Sequence, residues 1–140
     1  GNKGAVKLQF SLADKRLAFI TAHMHSGQNG VAKRNNDIDQ IIAQFVRGTR
    51  DKNQIVPLSM QPDLLVLLGD LNYRINGIKE SIVQAMSQNM FDALYQNDQL
   101  YIERQLGNIP KYFHEGKIEF APTFKRKPDR GENNCRRNPW

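Results

Sequence analysis

Leu64–Ile75 reads LLVLLGDLNYRI, and the reading of this stretch decides the fold. Large aliphatic residues from Leu64 to Leu68 lead straight into Gly69, Asp70, Leu71, Asn72, Tyr73 and Arg74. A short, continuous apolar run ahead of a glycine predicts a strand buried on both faces, as in sheets covered by helices. Asp70 and Asn72 follow just past its carboxyl end, where open α/β sheets hold their ligand chemistry. In an extended segment a spacing of two sends both side chains to the same side. Aspartate supplies a base or a metal ligand, and asparagine supplies a neutral donor and acceptor beside it. The same residues also read as an Asx turn leaving a core strand.

Upstream, Val6, Leu8, Phe10 and Leu12 alternate with polar residues, which predicts a half-buried strand. A turn at Ala13–Lys15 and a second strand over Arg16–His23 complete a hairpin. His23 closes that strand, and His25 follows as an ordinary loop residue among Ser26, Gly27, Asn29 and Gly30. Arg34-Asn35-Asn36-Asp37 precedes a helix that Asn36 or Asp37 can cap. Ile38, Ile41, Ile42, Phe45 and Val46 recur at helical spacing and face the sheet. Gly48–Pro62 reads as a connecting loop. Downstream of the central strand, Ile78–Gln88 and Phe91–Gln105 have helical periodicity with a break near Ser87–Asn89. Leu94, Tyr95, Ile102 and Leu106 are the expected core there. Ile118 and Phe120 alternate with Lys117 and Glu119 as a short strand that Pro122 stops, with Glu115 and Gly116 as its entry turn. Lys127–Asn134 is a polar loop.

GDLNYR resembles the first signature of the inositol polyphosphate 5-phosphatases, which belong to the deoxyribonuclease-I-like group of metal-dependent phosphoesterases. GNKGAV at the start and RNND at 34–37 are similar to further segments of that family. Tyr112–Lys125, YFHEGKIEFAPTFK, resembles its F-x-E-G-x-I-x-F-x-P-T-Y-K segment, with Phe124 where the family has tyrosine. Cys135–Trp140, CRRNPW, resembles the start of a second signature, R-x-P-S/A-W-C/T-D-R. The resemblance implies an α/β (α+β) two-sheet sandwich with helices outside, incomplete in these residues. It implies that Asp70 orients and deprotonates the attacking water. Asn72 would hold that water or a phosphoryl oxygen, and His23 would touch the scissile phosphate. Lys125 and either Arg136 or Arg137 would grip a second phosphate, both alignments of CRRNPW being open. Arg34, Asn35 and Asp37 are read as braces of the loop beside His23, and Asp98-Gln99-Leu100 matches a family DQL without an assigned role. The cofactor implied is Mg²⁺, its main acidic ligand expected upstream of GNKG. Residues 1–140 are accordingly expected to be part of a 5-phosphatase catalytic domain, weakly active at best in isolation.

The composition agrees with one domain rather than several. The single cysteine, Cys135, excludes an internal disulfide framework, fits a reducing compartment, and shows no thiolate-activating setting. No stretch has the length of a transmembrane helix. The formal net charge is +6, and it is uneven. Lys125, Arg126, Lys127, Arg130, Arg136 and Arg137 against Asp129 and Glu132 place +4 of it in the last sixteen residues. A basic segment beside a phosphoesterase site suits a polyanionic substrate or an anionic membrane surface. The expected partners are therefore a phosphoinositide headgroup or a soluble inositol polyphosphate. Peripheral contact with anionic membrane, a cytoplasmic location and no nucleic acid complete the expectation. Competing readings are a nuclease or sphingomyelinase-like phosphodiesterase of the same superfamily, and a non-catalytic module that binds anionic lipid.

Overall fold

The computed structural model describes residues 2–46 and 61–122. Most of the connecting loop 48–62, and all of Phe124, Lys125, the 127–134 loop, Cys135, Arg136 and Arg137, lie outside the described residues. The chain divides into two compact units, Gly1–Tyr73 and Arg74–Trp140.

The first unit is built on a three-stranded sheet in the order β1-β2-β3. Strand β1 (Gly4–Leu12) and strand β2 (Lys15–His23) form the hairpin that the alternation predicts. They pair antiparallel from Gly4↔His23 to Leu12↔Lys15. The turn is two residues long because Ala13 adopts a left-handed φ of 53°, the conformation that tight hairpin turns need. Strand β3 (Leu64–Asp70) adds in parallel to β2, from Leu17↔Leu64 to His23↔Asp70. Its start is pinned by a reciprocal clamp: Asp63 N–H donates to the Arg16 carbonyl at 2.8 Å, and Arg16 N–H donates to Asp63 Oδ2 at 2.7 Å. That backbone donor holds the Asp63 carboxyl below its ordinary value, with the Arg16 charge adding to the effect.

β3 is an edge strand among the described residues and not a strand buried on both faces, and β2 is the central one. Burial follows. Ala18, Ile20, Ala22 and Met24 of β2 and its exit are at most 4% exposed, whereas Leu64 and Leu68 remain open. Helix α1 (Val31–Ile41) continues as a π-helical turn, Ile42–Val46. Ile38, Ile41 and Ile42 are buried with the β2 residues to form the core of this unit, and each fully buried isoleucine stabilises it by about 1.5–3 kcal/mol. Lys7 donates from Nζ to the Phe45 carbonyl at 2.6 Å, tying β1 to the end of that helical segment.

Two expectations reverse. The helix starts at Val31 behind Gly30, so Asn36 and Asp37 lie inside it and cap nothing. Val6, Leu8, Phe10 and Leu12 point to the sheet face opposite the core and are 41–67% exposed. Their alternation marks a strand, but no described residue buries them.

The second unit contains α2 (Lys79–Ser87), α3 (Phe91–Gln96) and α4 (Gln99–Gln105). Asn89, at a φ of 54°, ends the α2 segment where a break is expected. The Phe91–Gln105 helix is in fact two helices. Asp98 is extended, and its Oδ1 accepts from Tyr101 N–H at 2.9 Å, which starts α4 afresh. Ile82, Leu94 and Ile109 are buried in this unit. Leu106, expected in the core, is 67% exposed. Residues 117–120 form no strand, and Phe120 is exposed. Among the described residues no helix is long and apolar enough to cross a membrane.

Candidate functional site

Parallel pairing of β2 with β3 makes His23 and Asp70 cross-strand partners at the carboxyl ends of both strands. The ladder goes one step further, with Met24 N–H donating to the Asp70 carbonyl at 3.0 Å. Strand pairing thus brings together two side chains that are 47 positions apart in the chain. His23 Nε2 lies 3.6 Å from Asp70 Oδ2 and 2.6 Å from Lys3 Nζ. An ammonium has no acceptor capacity, so at 2.6 Å Lys3 donates to Nε2 and the ring proton of a neutral His23 resides on Nδ1. The three groups form a chain of a cation, an imidazole and a carboxylate, all accessible to solvent.

Asn72 does not continue an extended segment. Its φ is 60°, a left-handed value that asparagine tolerates better than most residues. Its N–H donates to Asp70 Oδ1 at 3.2 Å, and its side-chain Nδ2 donates to the Met24 carbonyl at 3.0 Å. Asx-turn geometry and candidate site therefore coincide: the turn orients the Asp70 carboxylate while the Asn72 amide fastens β3 to the exit of β2. Both side chains remain beside His23, but the turn places them there rather than a shared strand face. Gly69, at a φ of 119°, lets the strands close up, since a Cβ there would collide with the Ala22 carbonyl.

The loop after His23 is braced as the 34–37 segment suggests. Arg34 is fully buried and donates from Nη1 to the Gly27 carbonyl at 2.8 Å and the His25 carbonyl at 3.2 Å. Its guanidinium lies 5.1 Å from the Tyr73 ring centroid, a cation–π distance, and Tyr73 OH donates to Asn35 Oδ1 at 2.7 Å. His25 departs from its expected role as an ordinary loop residue. Asp37 accepts from His25 N–H at 2.9 Å and approaches its Nδ1 at 2.7 Å. Helix α1 positions that carboxylate, and the twelve-residue separation carries no local signal. Lys3 is also newly placed at the site; it belongs to the GNKG stretch.

The 74–122 unit assigns work to Asp98-Gln99-Leu100. Buried Gln99 accepts from Arg74 N–H at 3.0 Å through Oε1 and donates to Asn76 Oδ1 at 2.9 Å through Nε2. It thereby clamps the segment that leaves the Asp70 loop. Burial raises the Asp98 carboxyl above its ordinary value, although the Tyr101 N–H opposes the rise. Glu115 is more than an entry turn: Oε2 accepts from Arg104 Nη1 at 3.0 Å and from Tyr95 OH at 3.3 Å. Burial, followed by the Glu115 charge, raises the Tyr95 hydroxyl.

Among the described residues no group of three or more histidine, cysteine or acidic side chains converges on one point. Asp70 and the Asn72 amide could contribute to a cation's shell, but the described residues do not by themselves make a divalent metal site. Lys125, Arg136 and Arg137, the expected grip on a second phosphate, fall outside the described residues.

A family model described as endonuclease/exonuclease/phosphatase family 2 matches residues 1–139. A type I inositol polyphosphate 5-phosphatase 8 of Arabidopsis thaliana is 36% identical over 129 residues, 89% of this chain and 26% of that protein. A type IV inositol polyphosphate 5-phosphatase 9 of the same plant is 34% identical across 92% of this chain and 31% of its own length. Among solved structures, the inositol polyphosphate 5-phosphatase domain of SPsynaptojanin is similar with a TM-score of 0.76 and 35% identity. The match covers 91% of this chain and 36% of that one, which was solved in complex with inositol (1,4)-bisphosphate and calcium ion. A Cimex nitrophorin shares the fold at a TM-score of 0.68 and 23% identity, over 98% of this chain and 45% of that one. The chain thus spans about a quarter to a third of these curated relatives' length.

Proposed function

Since the chain belongs to endonuclease/exonuclease/phosphatase family 2, with a mixed α/β fold of the deoxyribonuclease-I-like type, we propose that it serves inositol polyphosphate 5-phosphatase catalysis. The reaction is hydrolysis of the 5-phosphate of phosphoinositides such as phosphatidylinositol 4,5-bisphosphate, or of soluble inositol polyphosphates. The observation that carries this reading is the juxtaposition of Asp70, His23 and Asn72 at the ends of two parallel strands.

Phosphate monoester hydrolysis is among the slowest uncatalysed reactions, accelerated by up to ~10²¹. Enzymes accelerate it by positioning the nucleophile and neutralising the phosphoryl oxygens. Asp70, oriented by the Asn72 N–H, takes the proton of the attacking water. Lys3, just ahead of β1, and His23, at the end of β2, present donors to the phosphoryl oxygens. Lys125 with Arg136 or Arg137 is proposed to hold a second phosphate through charge-assisted contacts. Mg²⁺ is the proposed cofactor, able to polarise the phosphoryl group, with its principal acidic ligand outside the described residues. A cytoplasmic protein meeting anionic membrane peripherally through its basic stretch at 125–137 suits such a substrate.

The test compares the full-length protein with its Asp70→Asn variant, following phosphate release from phosphatidylinositol 4,5-bisphosphate with magnesium and plasmid nicking in parallel. Loss of a positioned general base lowers turnover by about 10²–10⁴-fold, and that loss is the expected outcome. Nicking without phosphate release would move the protein to the nuclease branch. Lipid binding without either activity would make it a binding module.

A further inference from the structure

Lys3, Gly4, Ala5 and His23 are shared by the linings of two depressions. One contains Asp70. The other, a cavity of about 260 Å³, contains His25, Asp37, Gln40 and Gln44. Its polar lining is rich in donors: one ammonium, two imidazoles and two amides against a single carboxylate. That carboxylate, Asp37, has both oxygens within 2.9 Å of His25 Nδ1. The pairing fixes the ring and its tautomer. With Nδ1–H on Asp37, the opposite ring edge, Nε2, is the one left for a ligand. The ring is half exposed.

We infer that His25, held by Asp37, selects substrate by contacting a phosphate other than the one released, in the cavity adjoining the Asp70 site. The inference rests on the 5-phosphatase reading and deepens it. Nε2 accepts from a monoprotonated phosphate or, once protonated, donates to a dianion. One proton lies between ring and phosphate in either case, and where it rests on Nε2 the Asp37 carboxylate balances the imidazolium. The titratable groups lining the cavity with this ring are Lys3, His23 and Asp37; Asp37 is engaged by His25, so the charge an incoming anion meets is the Lys3 ammonium. Gln40 and Gln44, one turn apart on α1 and its π-helical extension, supply further donors along one wall.

The experiment uses the full-length protein and its His25→Ala variant, with inositol 1,4,5-trisphosphate and inositol 5-phosphate as substrates. Deleting the ring leaves the His25 N–H on Asp37, so the loop keeps its fastening. The expected result is a rise of about tenfold in KM for the trisphosphate, the equivalent of ~1.4 kcal/mol. Turnover should stay within about twofold and the monophosphate should be unaffected. An unchanged KM for the trisphosphate, or the same loss on both substrates, would overturn the inference. If the wild type releases phosphate from neither compound, the functional reading fails. The inference is then decided by histidine ring ¹H–¹⁵N spectra of the wild type during titration with inositol 1,4-bisphosphate. A saturable shift of the His25 Nε2 resonance supports the contact, and its absence refutes it.

Discussion

Replacing Gly69 by alanine should pull β3 away from β2 at the point where His23 meets Asp70. Gly69 pairs with Ala22 across the parallel ladder at a φ of 119°, a region that L side chains avoid. A Cβ built there collides with the Ala22 carbonyl and sits 2.8 Å from the Ala22 nitrogen. Both obstacles are main chain in the central strand, so no flexible side chain can yield. Holding a non-glycine residue in such a conformation costs about 1–3 kcal/mol. Forcing a methyl into a filled space costs about another 1–3 kcal/mol, for roughly 2–6 kcal/mol together. Against a total stability of about 5–15 kcal/mol, the loss is large. Gly107 offers the matched control, because its φ is 78° but no atom lies within 4 Å of an added Cβ. Gly107→Ala should therefore show only the conformational part, about 1–2 kcal/mol. The assay is urea unfolding of the full-length protein followed by circular dichroism, with phosphate release measured in parallel. Since a misplacement of about 1 Å can lower turnover some 10²-fold, activity should fall further than the folded fraction does. A Gly69→Ala protein that unfolds with the wild type and keeps its turnover would refute the steric reasoning. Equal losses at Gly69 and Gly107 would do the same.

Two further predictions concern the 74–122 unit. Gln99→Ala removes hydrogen bonds to Arg74 N–H and Asn76 Oδ1 and should destabilise by about 1–3 kcal/mol at ~0.5–1.5 each; amide exchange at Arg74 should quicken, and an unchanged rate would contradict the clamp. Burial raises the Asp98 carboxyl above 3.8, so the folded state binds that proton more tightly than the unfolded chain does. Its contribution is fullest below the unfolded value and is lost as pH rises through the folded one. Asp98→Asn keeps a capping side chain without the buried charge. Relative to the wild type it should therefore gain melting temperature as pH rises from about 3 to 7, whereas Asp98→Ala, lacking the cap, should stay about 1 kcal/mol below Asp98→Asn throughout. A flat difference between Asp98→Asn and the wild type across that range would show that burial of the charge is not felt.

What could be read along the chain was whatever its own short-range pattern dictates. Alternation from Val6 to Leu12 and the apolar run before Gly69 marked strands because side-chain period and backbone geometry are linked within a few residues. The brace role of the 34–37 segment came with the motif resemblance and not with local pattern, since Asp37 reaches His25 across twelve positions. Motif resemblance carried Asp70, Asn72 and His23 to the site without geometry. It could not say that Asn72 turns left-handed, because its side chain is held by the Met24 carbonyl just past the end of β2, 48 positions away in the chain. Helix starts were misjudged where the capping residue was not a strong one: Gly30 begins α1 without a side-chain cap, while Asp98, a strong cap, splits a segment that periodicity made continuous.

The sequence by itself determined the three strands of the first unit, the catalytic candidates and the family, since each is written in residues that are neighbours in the chain, whereas the strand read at 117–120 did not form. Tertiary structure alone decided how these residues meet and which others join them. Only the parallel register of β2 and β3 sets His23 against Asp70. Only the approach of α1 gives His25 its carboxylate, and only burial beside residues 74–76 gives Gln99 a task. Those contacts join positions 12 to 47 residues apart, and local preference has no reach over such distances.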